Sequence, residues 1–357
     1  MDKKRILIDF GSLGHRCGLG QICESMAPLL AGLQLPWARF TFMVPQAYVG
    51  AFGDGVDYFV NSSRFVRFPF LLPKFDLWHG TSQFSRLPRH CFHACRNVLT
   101  VHDLNFLYDT AEPERSRQLA KLQKRKINRA DCITVISDFT RREVMRHLDV
   151  GTKPVRLIPD AVEDITGHEQ VRPDFIQSAN RPFFFFIGQI RDKKNVHVLV
   201  PMMKHFPEYD LYLCGENHFP YAETVRELIR ETGVKNVFLP GTVSVEEKVY
   251  LYRHCAAFLF PSLLEGFGLP VLEAMQFGKP VFASSCSSLP EVCGGHAVLW
   301  QDFDAERMAT SLREGLSVFS GRQAEAEKAY AAGFGYDIYV KRYVDLYHEV
   351  LFPQLNV

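Results

Sequence analysis

Residues 258–281 read Phe-Leu-Phe-Pro-Ser-Leu-Leu-Glu-Gly-Phe-Gly-Leu-Pro-Val-Leu-Glu-Ala-Met-Gln-Phe-Gly-Lys-Pro-Val. An apolar run ends at Phe260, a loop carries Glu265, and Pro270 and Gly278 sit where a helix would start and stop. Gly266 and Gly268 let the main chain press against a ligand, and the helix start beyond them offers N–H groups to negative charge. Glu265 and Glu273 then place a carboxylate on either side of an anion site. Acidic residues at this separation usually lie on a solvated helix face, so the weight rests on the whole string rather than on the pair.

Outward from this segment the chain repeats one rhythm. Arg5 to Phe10, Arg39 to Val44, Val98 to Val101 and Cys132 to Ile136 read as strands in the first half. After a polar stretch from Glu163 to Arg181 the pattern restarts with Phe183 to Ile187, Leu211 to Cys214, Val237 to Leu239, Phe258 to Phe260, Val281 to Ala283 and Ala297 to Trp300. Amphipathic segments lie between them, such as Glu223 to Glu231 before Gly233, and Val245 to His254, with apolar residues three and four apart. Alternation of this kind predicts an α/β protein with two doubly wound parallel sheets. The 357 residues are more than one hydrophobic core usually organises. Tyr339 to Leu351 places Tyr343, Leu346, Tyr347 and Val350 on one side and predicts a closing helix.

Hydrophobic residues make up 47% of the chain and charged residues 23%, values that argue against disorder. No apolar run approaches the roughly 20 residues needed to cross a bilayer. The start, Met1 to Phe10, lacks the apolar stretch and cleavage site of a secretory signal. Nine cysteines without a repeating pattern fit reduced thiols, so the cytoplasm is the expected compartment. A net charge of +1 gives no global pull toward nucleic acid. Locally, Arg115, Arg117, Lys121, Lys124, Arg125, Lys126 and Arg129 flank Leu119, Leu122 and Ile127 at helical spacing. That pattern suits either a helix resting peripherally on an anionic membrane surface or a solvated helix face.

Gly11-Ser12-Leu13-Gly14-His15-Arg16-Cys17-Gly18-Leu19-Gly20 follows the first strand and opens a helical pattern through Leu33. Gly18 and Gly20 are candidates for close approach to a phosphate, or for a loop that needs positive φ. The third glycine and the acidic ribose ligand of a dinucleotide fingerprint are missing, which disfavours a nicotinamide enzyme.

The 258–281 segment closely resembles the Glu-x7-Glu element of the retaining glycosyltransferase family 4, some members of which are mannosyltransferases. The resemblance extends over nearly the whole chain. Val98 to Leu104, with His102 and Asp103, is similar to the family's strand ending in a His-Asp pair, and Ile133 to Thr140 to its next strand and serine turn. Ile158 to Val162 resembles the element before the interdomain linker, Phe186 to Asn195 the diphosphate-gripping loop, and Ser288 to Val292 a later signature. Gln189 stands where many relatives carry arginine, and Ala161 where they carry glycine.

The resemblance implies a GT-B fold, two Rossmann-like domains facing a central cleft: residues 1–165 on the acceptor side, 166–335 on the nucleotide-sugar side, and 336–357 as a helix packing back toward the first domain. It implies a metal-independent enzyme that moves a hexose from GDP-mannose or a UDP-hexose to a saccharide or lipid-linked acceptor with retention, in cell-surface polysaccharide synthesis. His102, Glu265 and Lys194 carry catalysis in this reading. Gly18, Gly20, Gly188, Arg191, Lys193, Lys194, Gly215, Val243, Glu265, Gly266, Phe267, Gly268, Leu269 and Glu273 bind the nucleotide sugar, Glu273 through its ribose. No cofactor is expected beyond the donor itself. A sugar-nucleotide epimerase of the same fold and a non-catalytic nucleotide-sugar-binding relative are the alternatives.

Three further patterns bear on metals and membranes. Asp302-Phe303-Asp304 spells a metal-binding Asp-x-Asp, but its place before Ala305 to Leu312 favours a helix N-cap. His90 to Cys95 holds zinc-type ligands without the second pair that a structural site needs. Arg64 to Phe75 could face a lipid-linked acceptor or pack beneath a loop.

Overall fold

The computed structural model describes residues 2–15, 18–60, 73–88, 95–108, 112–176 and 181–353. The chain divides into two compact units, Met1–Ala161 with Tyr336–Val357, and Val162–Gly335.

Unit 1 is built on a parallel sheet of β1 (Lys4–Asp9), β2 (Ala38–Val44), β3 (Asp57–Val60), β4 (Leu77–Gly80), β5 (Arg96–Val101), β6 (Cys132–Val135) and β7 (Val155–Leu157), in the order β3-β2-β1-β4-β5-β6-β7. The described helices are α1 (Gly18–Gly32), α2 (Pro113–Ile127), α3 (Asp138–His147) and the C-terminal helix, Tyr336–Leu351. Alternate residues of the strands feed two apolar clusters, because successive side chains leave opposite faces of a strand. Ile6 and Ile8 join Met26, Leu30, Phe42 and the C-terminal Tyr339, Tyr343 and Tyr347, while Leu7 joins Trp78, Leu99, Ile133 and Val144. Ala161 is buried in the first of these clusters, where a methyl group fills space.

Unit 2 carries a parallel sheet of β8 (Phe183–Ile187), β9 (Asp210–Cys214), β10 (Val237–Gly241), β11 (Ala257–Phe260), β12 (Val281–Ser284) and β13 (Val298–Trp300), ordered β10-β9-β8-β11-β12-β13. Its helices are α4 (Leu199–Met202), α5 (Pro220–Thr232), α6 (Val245–His254), α7 (Leu269–Gln276), α8 (Leu289–Cys293), α9 (Ala305–Val318) and α10 (Gly321–Ala332), which makes the C-terminal helix α11. β8 reads Phe-Phe-Phe-Phe-Ile with four of its residues buried, as a strand covered on both faces should. Phe186 stacks on Phe260 with centroids 5.7 Å apart, tying β8 to β11.

All ten strands read from the sequence are present. β3, β4 and β7 were not read, and each is only three or four residues long. Gly233 ends α5 in the left-handed conformation at φ 71°, and Ser244 and Glu247 close a reciprocal capping box at the start of α6. Asp304 caps α9, its Oδ1 accepting the Arg307 amide at 3.0 Å. The α2 helix corrects one detail: Lys126, read among the cationic flank, turns inward and donates to the Gln83 carbonyl at 2.9 Å. Arg115, Arg117, Lys121, Lys124 and Arg125 remain exposed, with Leu122 beside them. The 90–94 ligands and most of Arg64 to Phe75 lie outside the described residues. No helix among the described residues is long and apolar enough to cross a membrane, and the seven described cysteines are free thiols.

Candidate active site

In an open parallel sheet the strand order reverses at one point, and the loops leaving the two strands there splay apart to leave a crevice at their carboxyl ends. In unit 2 this point lies between β8 and β11. The loop after β8 supplies Gly188 to Asn195, and the loop after β11 supplies Ser262 to Gly268. Leu263 N–H donates to the Lys193 carbonyl at 2.8 Å, so the two loops are stitched together.

Lys194 Nζ meets Glu265 Oε1 at 2.5 Å, with each side chain 12% exposed. Ser262 Oγ donates to the same carboxylate oxygen at 2.6 Å. The Lys194 ammonium also lies over the Phe260 ring, 5.0 Å from its centroid. The Glu265 loop is braced from behind: Glu265 N–H donates to Ser287 Oγ at 3.0 Å, and Ser288 Oγ donates to the carbonyls of Glu265 and Phe267. The Ser288 to Val292 signature therefore holds the shape of the loop that bears the carboxylate.

Glu273, on α7, is engaged by α6. Lys248 Nζ lies 3.0 Å from its Oε1, and Tyr252 O–H donates to its Oε2 at 2.8 Å. Burial raises the Tyr252 hydroxyl pKa well above its ordinary range, and the Glu273 charge adds to it, so the phenol stays a donor. Lys248 and Tyr252 are one helical turn apart on one face of α6. Their spacing was visible in the sequence, but nothing there aimed that face at Glu273.

The glycines are needed for close approach. A Cβ on Gly215 would lie 2.0 Å from the Gly188 carbonyl oxygen, so the ends of β8 and β9 can meet only backbone to backbone. Gly268, at φ 122°, would drive a Cβ to 2.7 Å from Leu289. It is the N-cap of α7, and Leu269 opens that helix. Gly266 and Phe267 fill the turn before it. Arg191 instead stacks its guanidinium 4.0 Å from the Phe219 ring centroid, and Gln189 is tied to Glu216 at 2.8 Å. Val243 is half-buried in the loop before α6. Lys194 and Glu265 are thus brought into contact, with Lys193 stitched to the same loop. Glu273 lies at the far end of the α7 segment, with its own cation.

Gly18, Gly20 and His102 belong to unit 1. Gly18 has open space around it, whereas a Cβ on Gly20 would lie 1.9 Å from the His15 carbonyl oxygen, so Gly20 serves the packing of its own loop. His102, just beyond β5, is buried with both ring nitrogens engaged: Nε2 to the Thr81 carbonyl at 2.9 Å and Nδ1 to Asp160 Oδ2 at 3.3 Å. Both partners are acceptors, an arrangement that suits a ring donating from both nitrogens and so favours its protonated form. Burial opposes that charge, but Asp160 and the Thr81 carbonyl outweigh it and the pKa is raised.

The Glycosyl transferases group 1 profile matches residues 169–330, and the Glycosyltransferase Family 4 profile matches residues 45–164. The chain is 28% identical over 250 residues to the O-antigen chain mannosyltransferase B of Escherichia coli, a match covering 66% of this chain and 65% of that one. It is 26% identical over 302 residues to the serotype-specific mannosyltransferase WbdA of Escherichia coli, covering 78% of this chain and 37% of that one. The chain thus spans less than two thirds of either relative. Among solved structures, a sucrose-phosphate synthase from Thermosynechococcus elongatus superposes with a TM-score of 0.74 at 17% identity, over 99% of this chain and 100% of that one. The Anabaena protein HepE, solved in complex with UDP-glucose, superposes with a TM-score of 0.73 at 16% identity, over 97% and 100%. Two parallel-sheet units of this topology and two adjoining family matches lead to one conclusion: the chain belongs to glycosyltransferase family 4, with the GT-B fold.

Proposed function

We propose that this chain transfers a hexose from a nucleotide-diphosphate sugar to a saccharide or lipid-linked acceptor, with retention and without a metal, in cell-surface polysaccharide synthesis in the cytoplasm. The observation that carries the reading is the Lys194–Glu265 pair at the strand-order reversal of unit 2. Cleaving a sugar–diphosphate bond leaves positive character on the sugar and adds negative charge to the phosphates. Catalysis then consists largely of fixed groups that already face those charges. Lys194 keeps two N–H donors beyond the one spent on Glu265, enough to hold a phosphate oxygen while the carboxylate faces the sugar. Amides at the start of α7 add donors to the same anion. Arg191, on the same loop, completes the grip by leaving Phe219. In this proposal His102 acts through its charge, because neither ring nitrogen is spare.

The relatives named as mannosyltransferases make GDP-mannose the first donor to test and UDP-hexoses the second. A thermal-shift panel of GDP-, UDP- and ADP-sugars identifies the base, since a ligand that binds only the folded state raises its stability. Product formation from that donor then requires an added acceptor and persists in excess EDTA. Epimerised donor formed without acceptor would replace the proposal with an epimerase, and complete loss of activity rescued by Mg²⁺ would remove its metal-free part. Five exposed cations on α2 beside Leu122 support a peripheral contact with an anionic membrane. Sedimentation with phosphatidylglycerol vesicles, absent with phosphatidylcholine, is the expected result.

A further inference from the structure

At the other end of the unit 2 sheet, where β12 and β13 begin, lies a cavity of about 240 Å³. Pro280, Phe282, Val298, Val318 and Phe319 give it apolar walls, and Glu327 of α10 completes the lining. Gly315, also on the lining, packs directly against the Phe282 ring, which a Cβ there would approach to 2.6 Å. The strands run away from this cavity toward the loops that carry Lys194 and Glu265, so it is separate from the candidate donor site.

Glu327 is only 3% exposed, and its Oε2 has no hydrogen-bond partner among the described residues. A carboxyl group taken from water without a partner is costly, and native proteins rarely leave one so. The next cation on the helix, Lys328, is bound to Glu325 at 2.8 Å. Among the described residues, titratable groups near Glu327 include Cys293 at the end of α8, whose thiol burial pushes up to about 12, Tyr330 one turn further along α10, whose phenol burial raises, and His296 on the cavity lining, whose ring stacks on Tyr330. None of these forms an ion pair with Glu327 among the described residues.

We propose that this cavity is a second ligand site, taking a small organic cation with an apolar body of about the size of benzylamine, whose ammonium group pairs with Glu327. The apolar walls receive the hydrocarbon and the carboxylate receives the charge. Burial pushes the Glu327 carboxyl up to about 8, so at neutral pH it holds a proton. Pairing with an ammonium ion favours the carboxylate, and the displaced proton leaves to the buffer. Binding therefore releases close to one proton at pH 7 and tightens about tenfold per pH unit below the carboxyl pKa.

The test is calorimetry with benzylamine at pH 7 in two buffers of different ionisation enthalpy, on the full chain. Saturable binding with near-unit proton release, at least tenfold weaker in Glu327→Gln and not reproduced by benzyl alcohol, is the expected result. Ala326→Leu, at an exposed position on the cavity lining, weakens binding while leaving the carboxyl in place. A melting temperature near the wild-type value shows that each variant folds. Absence of binding at millimolar benzylamine, unchanged binding in Glu327→Gln, or binding without proton release would overturn the proposal.

Discussion

The two sheets share a topology and use it for different ends. Each reverses its strand order once, between β1 and β4 in unit 1 and between β8 and β11 in unit 2. At the unit 1 reversal the polar groups are tied to the fold itself. Thr81 Oγ1 donates to the Asp9 carbonyl at 2.5 Å, Asp9 accepts the Gly11 amide at 2.9 Å, and the nearby Gln83 receives Gln123 and Lys126 on its carbonyl. At the unit 2 reversal, Lys194 and Glu265 join side chain to side chain. Backbone partners cannot leave without unfolding something, whereas a side-chain ion pair can exchange one partner for a ligand. In the proposed function, the unit 2 crevice is the one that can exchange a side-chain partner for a ligand.

The largest effect should come from Lys194. If Lys194 faces the leaving phosphate as proposed, Lys194→Ala should lower kcat/KM by about 10² to 10³, the loss of roughly 3 to 4 kcal/mol seen when a preorganised charge-stabilising donor is removed. A fall of less than threefold in steady-state kinetics would break the comparison at its centre. The two glutamates should then separate. Glu265→Ala should lower kcat mainly, and Glu273→Ala should weaken nucleotide binding about tenfold, the order of one lost charged hydrogen bond. Titration showing unchanged nucleotide affinity in Glu273→Ala would leave its role to the bracing of α7 by Lys248 and Tyr252 alone.

In unit 1 the effects should fall on stability. The folded pKa of His102 is raised, so its stabilisation is fully present below the unfolded value of about 6.5 and is lost as pH rises through the folded value. The margin in melting temperature between wild type and His102→Gln should be greatest near pH 6 and shrink toward pH 9. A margin that grows with pH would contradict the imidazolium. His79 behaves oppositely: burial depresses it to about 3, with the His102 charge adding to the effect. It therefore costs stability as pH falls below about 6.5. Burial, the larger cause, remains in His102→Gln, so from about pH 6 upward the folded His79 is neutral in both proteins and its contribution nearly cancels, although the His102 charge is part of what depresses it. The smallest effect is expected for Tyr347→Phe, which removes a 2.7 Å bond to His79 Nδ1 and should cost about 1 kcal/mol in urea unfolding. Nucleotide affinity should not change.

Much of this was readable in the residues. Four-residue apolar runs such as Phe183 to Phe186 announce a strand buried on both faces, and Glu-Gly-Phe-Gly-Leu-Pro announces a loop turning into a helix, because local sterics and burial act along the chain. β4 escaped because its polar His79 breaks the apolar run. That histidine is buried only because Thr100, Tyr343 and Tyr347, more than 240 residues apart at the extremes, close around it. Asp304 was readable as a cap since its partner is three residues away. Lys248 and Tyr252 were not readable as partners of Glu273, which lies on another helix.

The sequence by itself determined the repeating strand-and-helix units, the residue types in the loops after β8 and β11 and the family, since these depend on neighbours in the chain or on a contiguous string. Only the tertiary structure decided which charges meet: that Lys194 lies against Glu265, that Lys248 serves Glu273, that His102 is locked by Asp160, and that Glu327 is buried beside a cavity with one oxygen unpartnered among the described residues. Ion pairing and desolvation depend on separations through space, and those exist only after segments far apart in the chain have packed.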